Sequence, residues 1–268
     1  MFRIVFAIAA LAALIASPAG ATPFLLAGVE VSGYTSQCTV GAPYVSCAED
    51  ETVSSSSPGT GQFLATTDGS LGTGYYGATG WFSGYLDPPT AEVSAEAGSE
   101  PAPEPGFYYW TDSAASARVI QGYTYRGSVP ATFEAQVGLL AGIEGGPLNQ
   151  VFANVSIFDA ATYDPDAEIF PIITYVGLSA NGIGDDLTNS VDYTAPLSFE
   201  LQPGQGVYMI VDLEAIFVSR YAGYQTVGVD ASHTLTVNFT NGPLDLLTPA
   251  LTAPEPGTSL VLGAGCWV

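Results

Sequence analysis

The sequence predicts an all-β protein, an antiparallel β-sandwich of jelly-roll-like form with an N-terminal signal helix and an irregular C-terminal tail. Three observations carry that expectation. Apolar and polar residues alternate with period two along many segments. Gly, Pro and Asn turns divide these segments into short strands of uneven length. Outside the N-terminus no window has the spacing of an amphipathic helix.

At the N-terminus, Arg3 precedes an apolar run from Ile4 to Ile15, and Ala19 and Ala21 supply small residues for cleavage. This is the layout of a secretory signal peptide over residues 1–21. The run is shorter than the ~20 residues that a membrane-spanning helix needs. Cleavage leaves Thr22–Val268, with Arg118, Arg126 and Arg220 as its basic residues and no lysine, and takes the formal net charge from −22 to −23. Such a surface repels phosphate backbones and anionic headgroups, which argues against nucleic acid and bare membrane as partners. Hydrophobic residues at 47% and aromatics at 12% set the chain apart from disordered acidic tails.

Along the chain, Cys38 and Cys47 bracket a loop-like segment and are expected to pair in an oxidising compartment. The acidic, Ser-rich Ala48–Gln62 reads as an exposed loop. So does Asp87–Gly106, rich in Pro and Glu, either inside one sandwich over residues 22–250 or between a small unit, Thr22–Leu86, and a larger one, Phe107–Ala250. Strands follow in "ATFEAQVGLL" (Phe133, Ala135, Val137 and Leu139 on one side) and "VFANVSIFD" (Val151, Ala153, Val155, Ile157). "PLSFEL" reverses at the turn Gln202–Gly206 into "GVYMIVDLEAIFVS", whose continuous apolar character suits burial on both faces. In "HTLTVNFT", Leu235, Val237 and Phe239 alternate with Thr and Asn. A transmembrane barrel would need regular alternating segments of about ten residues with aromatic rims, which the uneven strands here do not supply.

"APEPG" occurs twice, at Ala102–Gly106 and Ala253–Gly257. The second copy, with Pro254, Glu255 and Pro256 just before "TSLVLGAGCWV", is similar to the sorting motif of the PEP-CTERM family of exported bacterial proteins. "YTYRGSVPATFEAQVGL", "PLSFELQPGQGVYMIVDLEA" and "VGVDASHTLTVNFTNGPLDLL" resemble strands of many such proteins. The resemblance implies export to the surface or extracellular polysaccharide matrix (the biofilm) of a Gram-negative bacterium and sorting by an exosortase. Here the sequence departs from the family. Thr258–Val268 is eleven residues without Lys or Arg, too short for a bilayer-crossing helix and lacking the positive charge that orients one. Residues 251–268 therefore read as a degenerate tail, truncated or naturally short, with no stable membrane span and with exosortase processing in doubt. Cys266 belongs to that tail.

Catalytic residues are not assigned. His233 is the single histidine, and "GLSANG" lacks the nucleophile-elbow spacing. Asp164, Asp166 and Glu168 alternate in "YDPDAEIF", but Pro165 demotes the run to a loop or sheet edge. An acidic surface loop is the simplest reading, with calcium binding or a glycosidase carboxylate pair as alternatives. Asp185, Asp186 and Asp230 lie in further oxygen-rich segments without diagnostic spacing. Trp81, Tyr85 and Trp110 fall in aromatic clusters that suit core packing or a carbohydrate platform. "NVS" at Asn154 and "NFT" at Asn238 match the glycosylation sequon. The sequence thus predicts no cofactor, calcium aside. It points to an exported, non-catalytic surface or matrix protein associated with exopolysaccharide, with a carbohydrate-binding module and a carboxylate glycosidase as the alternatives.

Overall fold

A computed structural model of the chain describes residues 25–41, 44–56, 63–71, 74–83, 90–99, 107–145, 149–163, 172–221 and 232–249. The signal segment with Ala19 and Ala21, the tail with Pro254, Glu255, Pro256 and Cys266, and Tyr85, Asp164, Asp166, Glu168 and Asp230 lie outside them.

Two antiparallel sheets face each other. Sheet A has the spatial order β2 (Tyr44–Ser56), β1 (Leu25–Gly41), β6 (Phe107–Tyr125), β11 (Gly206–Tyr221), β8 (Gln150–Asp159), β9 (Ile172–Asn181). The short β13 (Leu247–Pro249) pairs with β6 beyond the end of β1. Sheet B has the order β10 (Gly184–Leu201), β7 (Ala131–Gly145), β12 (Ser232–Asn241), β5 (Thr90–Ser99), β4 (Gly74–Ser83), β3 (Phe63–Leu71). Among the described residues the only helical piece is a 3-10 turn at Leu244–Leu246. The all-β sandwich is therefore the observed fold class.

The period-two pattern decides which side chains go inside. On β7, Phe133, Ala135, Val137, Leu139, Ala141 and Ile143 are buried between the sheets, while Glu134, Gln136 and Leu140 point to solvent. Val151, Ala153, Val155 and Ile157 on β8, and Leu235 and Val237 on β12, are buried in the same core.

Core thickness changes along the sandwich. Around Tyr125, Phe133 and Phe199 it is filled by aromatic rings, edge-on or stacked at 5.4–5.6 Å. Toward β3–β5 the inward residues shrink to Ala65, Ala78, Ala91 and Ala95, facing Ala115 and Ala117 of β6. The sheets approach so closely there that a Cβ on Gly80 would lie 2.1 Å from Val29 Cγ1.

Four sequence expectations change. The segment between Cys38 and Cys47 is a hairpin rather than a loop, and its register places the two residues directly opposite each other. Residues 48–56 continue as β2, because their pairing with Val29–Gln37 satisfies the backbone. Within 87–106, "TAEVSAEAGS" forms β5, an internal strand between β12 and β4. Its small buried residues Ala91, Val93 and Ala95 alternate with Glu92 and Ser94, so a segment that looks too polar to fold still has one apolar side. The Gln202–Gly206 turn does not close a hairpin. It carries the chain from sheet B to sheet A, with Gly204 at φ +79° and bonded through its N–H to the Tyr125 carbonyl. Both sheets combine strands from before and after residues 87–106.

Candidate functional site

Sheet A has a second populated face. On β6, Ala115, Ala117 and Val119 point into the core, which turns Ser116, Arg118 and Ile120 outward. Leu213 and Ala215 on β11 do the same for Asp212 and Glu214. The register aligns these outward residues in rows across the strands. One row runs Gly28, Arg118, Asp212, Asn154, Gly177 across β1, β6, β11, β8 and β9. The next runs Glu30, Ser116, Glu214, Phe152, Ser179.

Arg118 Nε donates to Asp212 Oδ1 in an ion pair between direct cross-strand partners, with side chains 34% and 29% exposed. Burial works against the guanidinium charge. The charge of Asp212, its hydrogen bond and the nearby Tyr163 and Glu214 outweigh that and raise the Arg118 pKa above its ordinary value. Burial, then repulsion from Asp212, raises the Glu214 carboxyl, partly offset by Arg118. Burial raises Glu30 as well. Ser116 Oγ donates to the Glu30 carbonyl at 3.4 Å. At the far end of the row, Asn154 Oδ1 would lie 3.0 Å from a Cβ on Gly177, so that glycine leaves the amide its room.

An apolar wall borders the rows. Ile120, Phe158, Tyr208 and Ile210 form a small cluster separate from the main core, with Ala160 and Tyr163 packed on it. Tyr163 meets Phe158 and Tyr208 at ring distances of 5.6 and 5.0 Å. The turn after β8 delivers Tyr163 to this place. Asp159 Oδ1 accepts from the Ala161 N–H at 2.8 Å and Oδ2 from Gln205 Nε2 at 2.6 Å. Its carbonyl accepts from the N–H groups of Thr162 and Tyr163. This is the local bonding that makes Asp a turn former. Burial raises the Tyr163 phenol, with Arg118 pulling it down and Asp212 pushing it up. Burial, then Tyr163, pushes Tyr208 up to about 12. The outer face thus offers carboxylates and a guanidinium in two adjacent rows beside the half-buried Tyr163 ring, which packs on the buried Phe158 and Tyr208.

The residues chosen from sequence are scattered. Trp81 is on β4 in sheet B, opposite Leu64 and Glu92, whereas Trp110 is on β6 in sheet A, opposite Ser36 and Arg220. The two belong to different layers. His233 is on β12 between Val93 and Ala141, and Asp185 and Asp186 lie at the start of β10, within a register irregularity between Gly184 and Thr188. Asn154 and Asn238 are exposed strand residues. Among the described residues no group of three or more His, Cys, Asp or Glu converges to hold a metal ion, and no helix is long and apolar enough to cross a membrane.

Sequence reasoning passed over Arg118, Asp212 and Glu214. A signal was present: "ASARVI" carries an arginine in a run of small and apolar residues, and a charge placed in a central strand requires a partner. The carboxylates in "VDLEA", opposite in charge to Arg118, sit in a segment whose apolar character suits a strand buried on both faces. That holds for Val207–Val211, but from Asp212 onward the outward side chains are half-buried.

No family model matches the sequence, and no curated protein matches it. Among solved structures, the infectious bursal disease virus VP2 subviral particle is similar at 9% identity and a TM-score of 0.24, over 87% of this chain and 63% of that one. The same virus's Gx strain is similar at 8% and 0.23, with the same coverage. The chain thus spans less than two thirds of either structure's length, and likenesses this low carry no argument about its role.

Proposed function

We propose that this chain is an exported, non-catalytic protein of the bacterial surface or extracellular polysaccharide matrix, and that it holds matrix glycan on the outer face of sheet A. The signal-like N-terminus and the PEP-CTERM resemblance support the setting. The observation that carries the binding role is the ordered row of Arg118, Asp212 and Asn154 beside the Phe158–Tyr163–Tyr208 wall. Carboxylate, guanidinium and amide groups fixed by sheet register bond to sugar hydroxyls without first losing rotamer freedom, and beside them stands the half-buried ring of Tyr163, held in place by the buried Phe158 and Tyr208. With 26 acidic residues against Arg118, Arg126 and Arg220 in the chain left after cleavage, the surface repels uronate-rich polymers, so the glycan is neutral.

Pull-down on insoluble neutral polysaccharides tests this. Asp212→Asn and Tyr163→Ala should each weaken binding at least ~10-fold, about 1.4 kcal/mol, with unchanged circular dichroism. Binding unaffected by both would place the contact elsewhere. A carboxylate glycosidase is the second reading, favoured by the raised Glu214 carboxyl two residues from Asp212 on one strand face. It requires reducing-sugar release that Glu214→Gln abolishes.

A further inference from the structure

Two Asn-Gly pairs occur in the chain, Asn181–Gly182 at the end of β9 and Asn241–Gly242 at the end of β12. Such pairs lose the asparagine amide readily, because glycine has no Cβ to keep its backbone nitrogen away from the preceding Cγ. The fold treats the two differently. Gly182 is buried, and its N–H donates to the Asn149 carbonyl at 2.9 Å, so its nitrogen is engaged elsewhere. Asn189 Nδ2 donates to the Asn181 carbonyl at 2.8 Å and pins the backbone of that pair. Gly242 instead donates its N–H to Oδ1 of Asn241 itself, at 2.9 Å. That oxygen is bonded to Cγ, so the nucleophile and the carbon it attacks are already neighbours. Asn241 is exposed, and its Nδ2 donates to Glu134 Oε2 at 3.3 Å, which holds the amide in this orientation. Gly242, at φ +117°, packs so closely that a Cβ on it would lie 2.9 Å from Phe133 Cδ1, which fixes the nitrogen as well.

We propose that Asn241 is a site of spontaneous deamidation in the folded protein, while Asn181 is protected. Water takes the Gly242 amide proton, and the nitrogen attacks Asn241 Cγ. The new N–Cγ bond closes a succinimide ring, the Cγ–Nδ2 bond breaks, and ammonia leaves carrying a proton. A second water then opens the ring. Opening at Cγ gives aspartate, and opening at the backbone carbonyl gives isoaspartate, which adds a methylene to the main chain. Either product sets a carboxylate opposite Glu134, its register partner, and adds one negative charge to a chain already at −22. The position matters because Asn241 closes β12 at a register irregularity, and the residues after it carry the chain from sheet B to β13 in sheet A. Deamidation therefore loosens this crossing as the protein ages.

Incubation of the folded chain at neutral pH for several weeks, followed by peptide mapping by mass spectrometry, tests the assignment. Asn241 should convert at least tenfold faster than Asn181, giving both aspartate and isoaspartate. In urea, where the fold no longer positions either nitrogen, the two pairs should convert at similar rates. Asn241→Asp should lower the melting temperature, and Glu134→Gln in the same chain should recover part of the loss. Equal rates in the folded chain overturn the proposal. So does an Asn241 that stays intact while the unfolded chain converts, or a tenfold preference that persists in urea. An Asn241→Asp chain as stable as the parent overturns the loosening of the crossing.

Discussion

Arg118 and Asp212, 94 residues apart in sequence, are direct partners across the seam between the two central strands of sheet A, and their ion pair is one-third exposed. It is intermediate between a surface pair, worth little, and a buried one, costly to break. A double-mutant cycle with Arg118→Met and Asp212→Asn should give a coupling of about 1 kcal/mol in urea denaturation. Coupling near zero would mark the pair as incidental to stability.

Glu214 and Glu30 have carboxyls raised above their ordinary value of 4.5 by burial. The folded state therefore binds their protons more tightly than the unfolded chain does. The stability this contributes is complete below the unfolded pKa and is lost as pH rises through the folded pKa. Glu214→Gln should accordingly melt higher than the parent at pH 7, with the advantage vanishing below about pH 4.5. Melting temperatures of both proteins between pH 3.5 and 7.5 would read this out, and a constant difference would rule it out.

Gly80 is where the two sheets come closest. Gly80→Ala forces its new methyl into Val29 Cγ1 and should cost about 1–3 kcal/mol. Val29→Ala in the same chain should recover part of that loss in chemical denaturation. Absence of any rescue would mean that the strain arises elsewhere.

Thr35, Thr111 and Ser113 line the inner face of sheet A, with Thr35 and Thr111 opposite each other and all three hydroxyls buried without a hydrogen-bond partner among the described residues. An unmade hydrogen bond costs about 1–3 kcal/mol. Thr111→Val should therefore raise the denaturation midpoint. A drop of 1 kcal/mol or more would show instead that buried water satisfies the group.

Cys38 and Cys47 are direct cross-strand partners, and such partners have Cα atoms about 4.5–5.5 Å apart, within the span a disulfide bridges. Thiol titration of the exported chain, which has three cysteines, is expected to find one free thiol before reduction and three after. Three free thiols in the oxidised sample would refute the pairing.

Much of the sandwich was legible because alternation is a local property. Phe133 to Ile143 and Leu235 to Val237 announce their inward side without reference to any other strand. β5 was missed for a related reason: alanine is a weak apolar signal, and only the close packing around Gly80 makes Ala91 and Ala95 good core residues. β2 was missed because its acidic residues do not alternate with apolar ones, and its place at the edge of sheet A is set by pairing with β1.

The candidate site was illegible for a different reason. Period-two alternation says that Arg118, Asp212 and Glu214 point away from the core, but not what stands beside them. Lateral neighbours are set by strand order and register, which come from contacts far apart in the chain, and a slip of one residue would turn Arg118 to the other face. The amino-acid sequence by itself determined the layered β architecture and the identity of its inward side chains. Tertiary structure alone decided which outward residues share a row, because only the pairing of distant strands brings a guanidinium, two carboxylates and a tyrosine together on one surface.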